Sequence, residues 1–238
     1  MTDSSVRAAL RVEAEGLAAA VASESAAAFA RPSPCPPWTV GDLLYHVRTG
    51  VARLSHMLAE SESESESESE PGADAGGLVT AAGYFSPDHR FSPATNADRI
   101  ASAQHGAAGV PAGAMAGDFE RTWHEARAAV QAAPADRVVR TRHGDLMLLT
   151  DFMRTRVLEL AVHGLDLAAG LDRAPWLSPE AASVVADLVL PDRSAASVGE
   201  RLAWDHVTMI AKVTGRQPLT PAESSVVEAE HICWLALG

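Results

Sequence analysis

Apolar residues recur along this chain at spacings of three, four and seven, the period of a helix with one buried face. Val6, Leu10, Leu17 and Val21 form a narrow stripe among alanines and predict a first helix over residues 5–29. The prolines Pro32, Pro34, Pro36 and Pro37 then force a rigid extended connection. A second helix is predicted over 40–60, opened by Thr39 with Asp42 three residues on, a capping-box-like start. Its buried face is Leu43, Val47, Val51, Leu54 and Leu58. Helical patterns follow over 96–108 and 112–133, interrupted at Gly109 to Pro111, the second carrying Phe119, Trp123, Ala126 and Val130. The mixed stretch 138–149, turning at Gly144, suits a short hairpin or strand. Thr150 is a candidate N-cap for a helix over 150–169 that stops at Gly170. Beyond Pro175 the pattern predicts shorter helices over 179–189, 198–213 and 222–237, with Gly215 placed to end the middle one.

The helix over 150–169 differs from the others, because Phe152, Met153, Val157, Leu158, Leu160, Ala161, Val162, Leu165 and Leu167 make it apolar almost all round. Such a helix belongs in the centre of a bundle. Within it Glu159 and His163 stand four residues apart and project from one face. At that depth they must be paired, hydrogen-bonded or bound to metal. A Glu–His hydrogen bond in a packed helix and half of a zinc-type site both fit the pair. His46, at the margin of the second helix's stripe, is either a core-edge histidine bonded to a carbonyl or a third ligand.

Composition narrows the class. The 238 residues suffice for one large domain or one domain with a small appendage, and 47% apolar content is ordinary for a globular protein. No apolar run reaches membrane-span length, and no signal-peptide pattern opens the chain, so a cytoplasmic protein without membrane association is expected. Cys35 and Cys233 are too few for a disulfide framework. The net charge of −12 argues against a nucleic-acid partner. Part of it is the Ser-Glu alternation over 61–70, which with the glycine-rich 71–77 reads as a disordered, self-repelling acidic loop. Tyr84, Phe85, His89 and Phe91 follow, either as a lid over a site or as a loop packed on the bundle.

Four stretches carry a resemblance. They are Pro34-Cys-Pro-Pro-Trp-Thr-Val-Gly-Asp-Leu-Leu-Tyr-His46, Arg156-Val-Leu-Glu-Leu-Ala-Val-His-Gly-Leu-Asp-Leu167, Thr214-Gly-Arg-Gln-Pro-Leu219 and Trp234-Leu-Ala-Leu-Gly238. Together they resemble the mycothiol-dependent maleylpyruvate isomerase family, a branch of the DinB-like metal-binding four-helix bundles. The resemblance implies an all-α fold, with a DinB-like bundle over 1–171 and a small, mostly helical extension over 172–238. It implies a divalent metal, zinc, on His46, Glu159 and His163, and mycothiol as the thiol cofactor, since neither cysteine stands at a ligand position of the pattern. Three protein ligands leave a fourth position open, as in catalytic zinc sites.

The expected chemistry is attack by a metal-held thiolate on a small electrophile, ending in S-transfer or in cis–trans isomerisation. The tail is short for the separate C-terminal domain of the best-known members, which tilts the expectation towards a thiol S-transferase of detoxification or secondary metabolism. Arg156 and Arg216 are candidates for anchoring carboxylates of substrate or cofactor; Arg156 fits equally as a partner orienting Glu159, and Arg216 as a solvated surface residue. Asp166 fits either as an acceptor that orients His163 or as a poor cap at the helix end. Two other readings stay open. One is a metal- or ligand-binding bundle without turnover, as sensor or carrier. The other is a metal-dependent hydrolase of a thiol conjugate, with His143 or Asp145 as general base. Nothing in the sequence separates a monomer from a homodimer.

Overall fold

The computed structural model describes residues 1–66, 77–85, 92–190 and 194–235. In chain order its helices are α1 (Asp3–Val21), α2 (Ala26–Phe29), α3 (Val40–Glu66), α4 (Pro93–Ala108), α5 (Met115–Ala132), α6 (Leu149–Gly170), α7 (Pro179–Val189), α8 (Ala195–Leu202), α9 (His206–Val213) and α10 (Pro221–Ala229). Two short strands, β1 (Val138–Arg140) and β2 (Leu146–Leu148), pair antiparallel between α5 and α6 as the expected hairpin.

The fold is all-α apart from that hairpin. α1, α3, α5 and α6 form the four-helix bundle, each packing on two neighbours: α1 on α5 and α6, α3 on α5 and α6. Leu10 and Leu17 of α1, Leu43, Leu44 and Leu54 of α3, Phe119 of α5 and Phe152, Met153 and Leu160 of α6 are fully buried where these faces meet. Each such side chain contributes about 1.5–3 kcal/mol through apolar burial. α6 is the buried centre that its sequence predicts, with sixteen of its twenty-two residues buried. α7, buried along Ala181, Val184, Val185, Leu188 and Val189, packs on α1 and α6 and carries the extension onto the bundle. Among the described residues no helix is long and apolar enough to cross a membrane.

Several boundaries depart from the sequence pattern. The first helix stops at Val21, and the Ser25 side chain accepts a hydrogen bond from the Ala28 amide to begin α2. Serine competes with helix continuation in this way. α3 continues past 60 to Glu66, so the first six residues of the Ser-Glu alternation are helical and not a loop. Residues 67–76 lie outside those described, as do His89 and Phe91. Thr150 is not the N-cap of α6. Leu148 holds that position, and Thr150 donates to Asp3 instead. The expected helix over 198–213 is two helices, broken where Ala203 adopts a left-handed conformation and Asp205 caps α9 through the Thr208 amide. The last helix ends at Ala229, not near 237. The reciprocal Thr39–Asp42 cap forms as expected. α4, capped by Ser92, begins three residues early and lies close on α3: a Cβ at Gly106 would collide with the Tyr45 ring.

Candidate functional site

α3 and α6 face each other across the bundle and bring His46, Glu159 and His163 together. His46 Nε2 lies 3.6 Å and His163 Nε2 3.5 Å from Glu159 Oε2. The two imidazoles meet edge to face, with ring centroids 5.2 Å apart. One ligand atom from each of the three falls within 4.8 Å of the others. Ligands about 2.0–2.1 Å from a tetrahedral zinc stand about 3.3–3.4 Å apart. The donor set therefore fits one divalent ion with little adjustment. Trp38, at the end of the proline-rich connection, braces His46 with ring centroids 4.8 Å apart and donates its indole N–H to the Ile100 carbonyl.

The trio is electrostatically self-consistent. Burial opposes charge on Glu159, yet hydrogen bonds from His163 and His46 and the nearby Arg156 charge hold its carboxyl well below the usual range. Burial also works against a charged His163, but bonds with Asp166, Cys35 and Glu159 raise its pKa well above the ordinary value. Burial prevails at His46, whose pKa is lowered. Without metal, His163 carries the proton and His46 presents a neutral nitrogen.

Asp166 does the orienting that its position suggests. Its Oδ2 lies 3.0 Å from His163 Nδ1, which leaves Nε2 aimed at Glu159 and His46. Arg216 donates to both Asp166 oxygens, Nε at 3.2 Å and Nη2 at 2.9 Å, and the Cys35 thiol donates to Oδ2 at 3.2 Å. Burial raises the Asp166 pKa, but the bonds from His163 and Arg216 dominate and hold its carboxyl far below the usual range. Cys35, His163 and Asp166 form a second possible metal group. The Arg216 fork on Asp166 argues against it, because both carboxylate oxygens are already engaged.

The three residues line a cavity of about 710 Å³ whose walls include Tyr45, Arg53, Tyr84, Arg99, Arg142, His143, Arg156 and Arg216. Arg156 donates through Nε to Thr155 Oγ1, and its guanidinium lies over the Phe152 ring at 4.9 Å and the Tyr84 ring at 5.8 Å. It acts on Glu159 through charge. Arg216 reaches the cavity while paired to Asp166, so it is not a free surface arginine. Of the two proposed bases, His143 lines the cavity near Tyr84, and Asp145 is not among the lining residues. Tyr84 and Phe85 are buried in a 3-10 turn, Gly83–Phe85, and belong both to the packed body and to the cavity wall. Sequence reasoning missed Arg53, Arg99, Arg142 and Tyr45. Arg53 shares the helix face of His46 and Gly50, but a solvated arginine would fit that place as well, so no local signal marks it.

Fold and site together define a helical bundle with a His–Glu–His donor set opening into a cavity that several arginines line. Residues 10–168 match the family described as "Mycothiol maleylpyruvate isomerase N-terminal domain", and the chain belongs to that family. The fold is similar to the crystal structure of the mycothiol-dependent maleylpyruvate isomerase, with 15% identity, TM-score 0.53, 80% of this chain and 70% of that chain covered. It is similar also to a histidine-to-alanine mutant of the isomerase, at 14% identity and TM-score 0.52 over the same shares of the two chains. No curated protein matches.

Proposed function

We propose that the protein is a metal- and mycothiol-dependent enzyme that adds a thiol sulfur to a small electrophile, followed by S-transfer or by elimination after bond rotation. The observation that carries this reading is the convergence of His46, Glu159 and His163 on one point at the wall of an open cavity. A bound divalent ion, zinc by its donor set, would supply a Lewis-acid position that lowers the pKa of a thiol. The chain supplies the rest. Asp166 fixes the tautomer and direction of His163, Trp38 fixes the His46 ring, and Arg216 ties the C-terminal part of the chain to His163 through Asp166. Supporting groups of this kind tune metal sites as strongly as many ligands do. Arg156 offers a guanidinium to the cavity for an anionic substrate or cofactor group. Family membership supports mycothiol as the thiol and a cytoplasmic setting.

The test is direct. Metal-loaded protein is incubated with mycothiol and a panel of activated alkenes and halides, and products are read by mass spectrometry. Adducts or isomerised alkenes, dependent on both metal and mycothiol, are expected. Metal binding with no thiol-dependent product would leave a sensor or carrier as the better reading. Hydrolysis of a mycothiol conjugate, lost on replacing His143, would favour the hydrolase.

A further inference from the structure

Beside the His46–Glu159–His163 trio, the cavity wall carries Arg53, Arg142 and Arg156, none of them hydrogen-bonded to a carboxylate among the described residues; Asp98 and Glu159 line the same cavity, and Arg156 acts on Glu159 through charge alone. Arg156 is only 6% exposed, and its one described hydrogen bond is to Thr155 Oγ1. Its Nη1 reaches towards α3 at Gly50, where a Cβ would stand 3.1 Å from it. Arg53, one turn further along α3, faces the same space and has no hydrogen bond or ion pair among the described residues. Arg142, from the hairpin turn, donates to the neighbouring His143 ring. Arg142 and Arg156 both act repulsively on Arg53, while Tyr84 and Glu60 act in its favour. Burial comes first among the causes that push the Arg53 guanidinium pKa down, and these two charges add to it.

Several other described arginines are paired with carboxylates. Arg48 bonds Asp118, Arg127 bonds Glu15, Arg173 bonds Glu24 and Arg216 bonds Asp166. In a protein of net charge −12, carboxylates are abundant, so three guanidiniums on one cavity wall without a hydrogen-bonded carboxylate among the described residues stand out. Burying a cation such as Arg156 without a hydrogen-bonded counterion is costly, and the like charges of the half-buried Arg53 and the exposed Arg142 add to it. An anion bound among them would offset that cost, and guanidinium forks match carboxylate and phosphate geometry.

We propose that Arg53, Arg142 and Arg156 form an oxyanion pocket that holds a carboxylate or phosphate group of the electrophile. The assignment to the electrophile rests on the function proposed above; the anion site itself does not. A sugar-bearing thiol offers hydroxyls to its surroundings and has little use for three guanidiniums. Arg156 precedes Glu159 by one helical turn, roughly 4.5 Å along the α6 axis. The anionic group and the reacting carbon therefore belong to one small molecule.

Isothermal titration of the full-length, metal-loaded protein with succinate, inorganic phosphate and acetate, at constant ionic strength set with sodium chloride, tests this without thiol or turnover. Succinate or phosphate is expected to bind, and acetate more weakly. Arg53→Gln and Arg142→Gln should each weaken binding about tenfold or more, as loss of charged hydrogen bonds does. Metal content should stay at the wild-type level. Arg156→Gln should weaken binding further; because Arg156 is buried, the two more exposed variants keep the test decisive if that one fails to fold. Tighter binding of succinate points to a dicarboxylate electrophile, and tighter binding of phosphate to a phosphorylated one. No binding by either anion, or binding unchanged in Arg53→Gln and Arg142→Gln, overturns the proposal. Anion binding in a protein that never forms a mycothiol adduct would keep the pocket and remove the enzymatic reading. Mycothiol addition to neutral electrophiles by a protein blind to both anions would do the reverse.

Discussion

The two ends of one cavity handle charge in opposite ways, although α6 contributes to both. At one end Glu159 sits between two imidazoles, and Asp166 answers His163, Arg216 and Cys35. At the other, Arg53, Arg142 and Arg156 share their space with aromatic rings and one another. The first end is complete enough to stand without a ligand, with one proton on His163 in place of metal. The second is not. A balanced site holds its geometry in advance, whereas an unbalanced one stores a driving force for whatever brings the missing charge. Binding and chemistry would thus divide along the cavity, with Arg156 and Glu159 one turn apart at the boundary.

The largest effects should come from the balanced end. His46→Ala or His163→Ala removes one of three ligands, and metal content should drop from about one ion per chain to near zero while the helical circular-dichroism signal persists. Unchanged metal in both variants would refute the site. Asp166→Asn leaves the ligands but withdraws the charge that directs His163, and metal affinity should fall about 10–100-fold. Arg216→Gln should give a smaller loss in the same competition with a chelator, since it acts only through Asp166.

How much of this was legible in the sequence follows from how each contact is encoded. Glu159 and His163 are encoded locally, by four-residue spacing on a helix apolar all round, and His46 by its place beside a stripe. Asp166 is similarly local, one turn from His163. The bundle was legible because the stripes on α1, α3, α5 and α6 are long and regular. Arg53 and Arg142 were not legible, because an arginine beside an apolar stripe or in a hairpin turn has the same pattern as a solvated one. Only tertiary packing turns both towards Arg156. Cys35 likewise meets Asp166 only once the proline-rich connection folds back on α6. The break at Ala203 had no warning either, since alanine seldom takes the left-handed conformation seen there.

Protonation offers a finer probe of the balanced end. Burial disfavours charge on His163, but Asp166, Cys35 and Glu159 raise its folded-state pKa well above the ordinary imidazole value of about 6.5. In metal-free protein that proton stabilises the fold. The contribution is fully present below about pH 6.5 and is lost as pH rises through the folded-state pKa. The melting temperature of metal-free protein should therefore decline across that window, and Asp166→Asn should flatten the decline. Metal competes with the same proton, so its apparent affinity should rise over the same window, by up to about tenfold per pH unit. A melting temperature that rises with pH there would contradict the assignment of the proton to His163.

The smallest effect expected on the fold separates the two ends most cleanly. Gly50 lies in the interior of α3, where replacing glycine by alanine ordinarily stabilises a helix by about 0.5–1 kcal/mol. Here the new Cβ would stand 3.1 Å from Arg156 Nη1, closer than comfortable contact. The atom that must yield is the far end of a flexible side chain facing a cavity, so moving it by a few tenths of an ångström costs little. Gly50→Ala should accordingly melt within about 1 kcal/mol of the wild type, on the stable side. Metal content should be unchanged, because His46, Glu159 and His163 keep their places. The Arg156 guanidinium, however, would be pushed from its position between α3 and the rings of Phe152 and Tyr84. Succinate or phosphate binding should then weaken severalfold in a protein that is no less stable. A variant that binds anions as the wild type does would show that Arg156 does not set the geometry of the pocket; one that loses metal would show that the two ends are not separable.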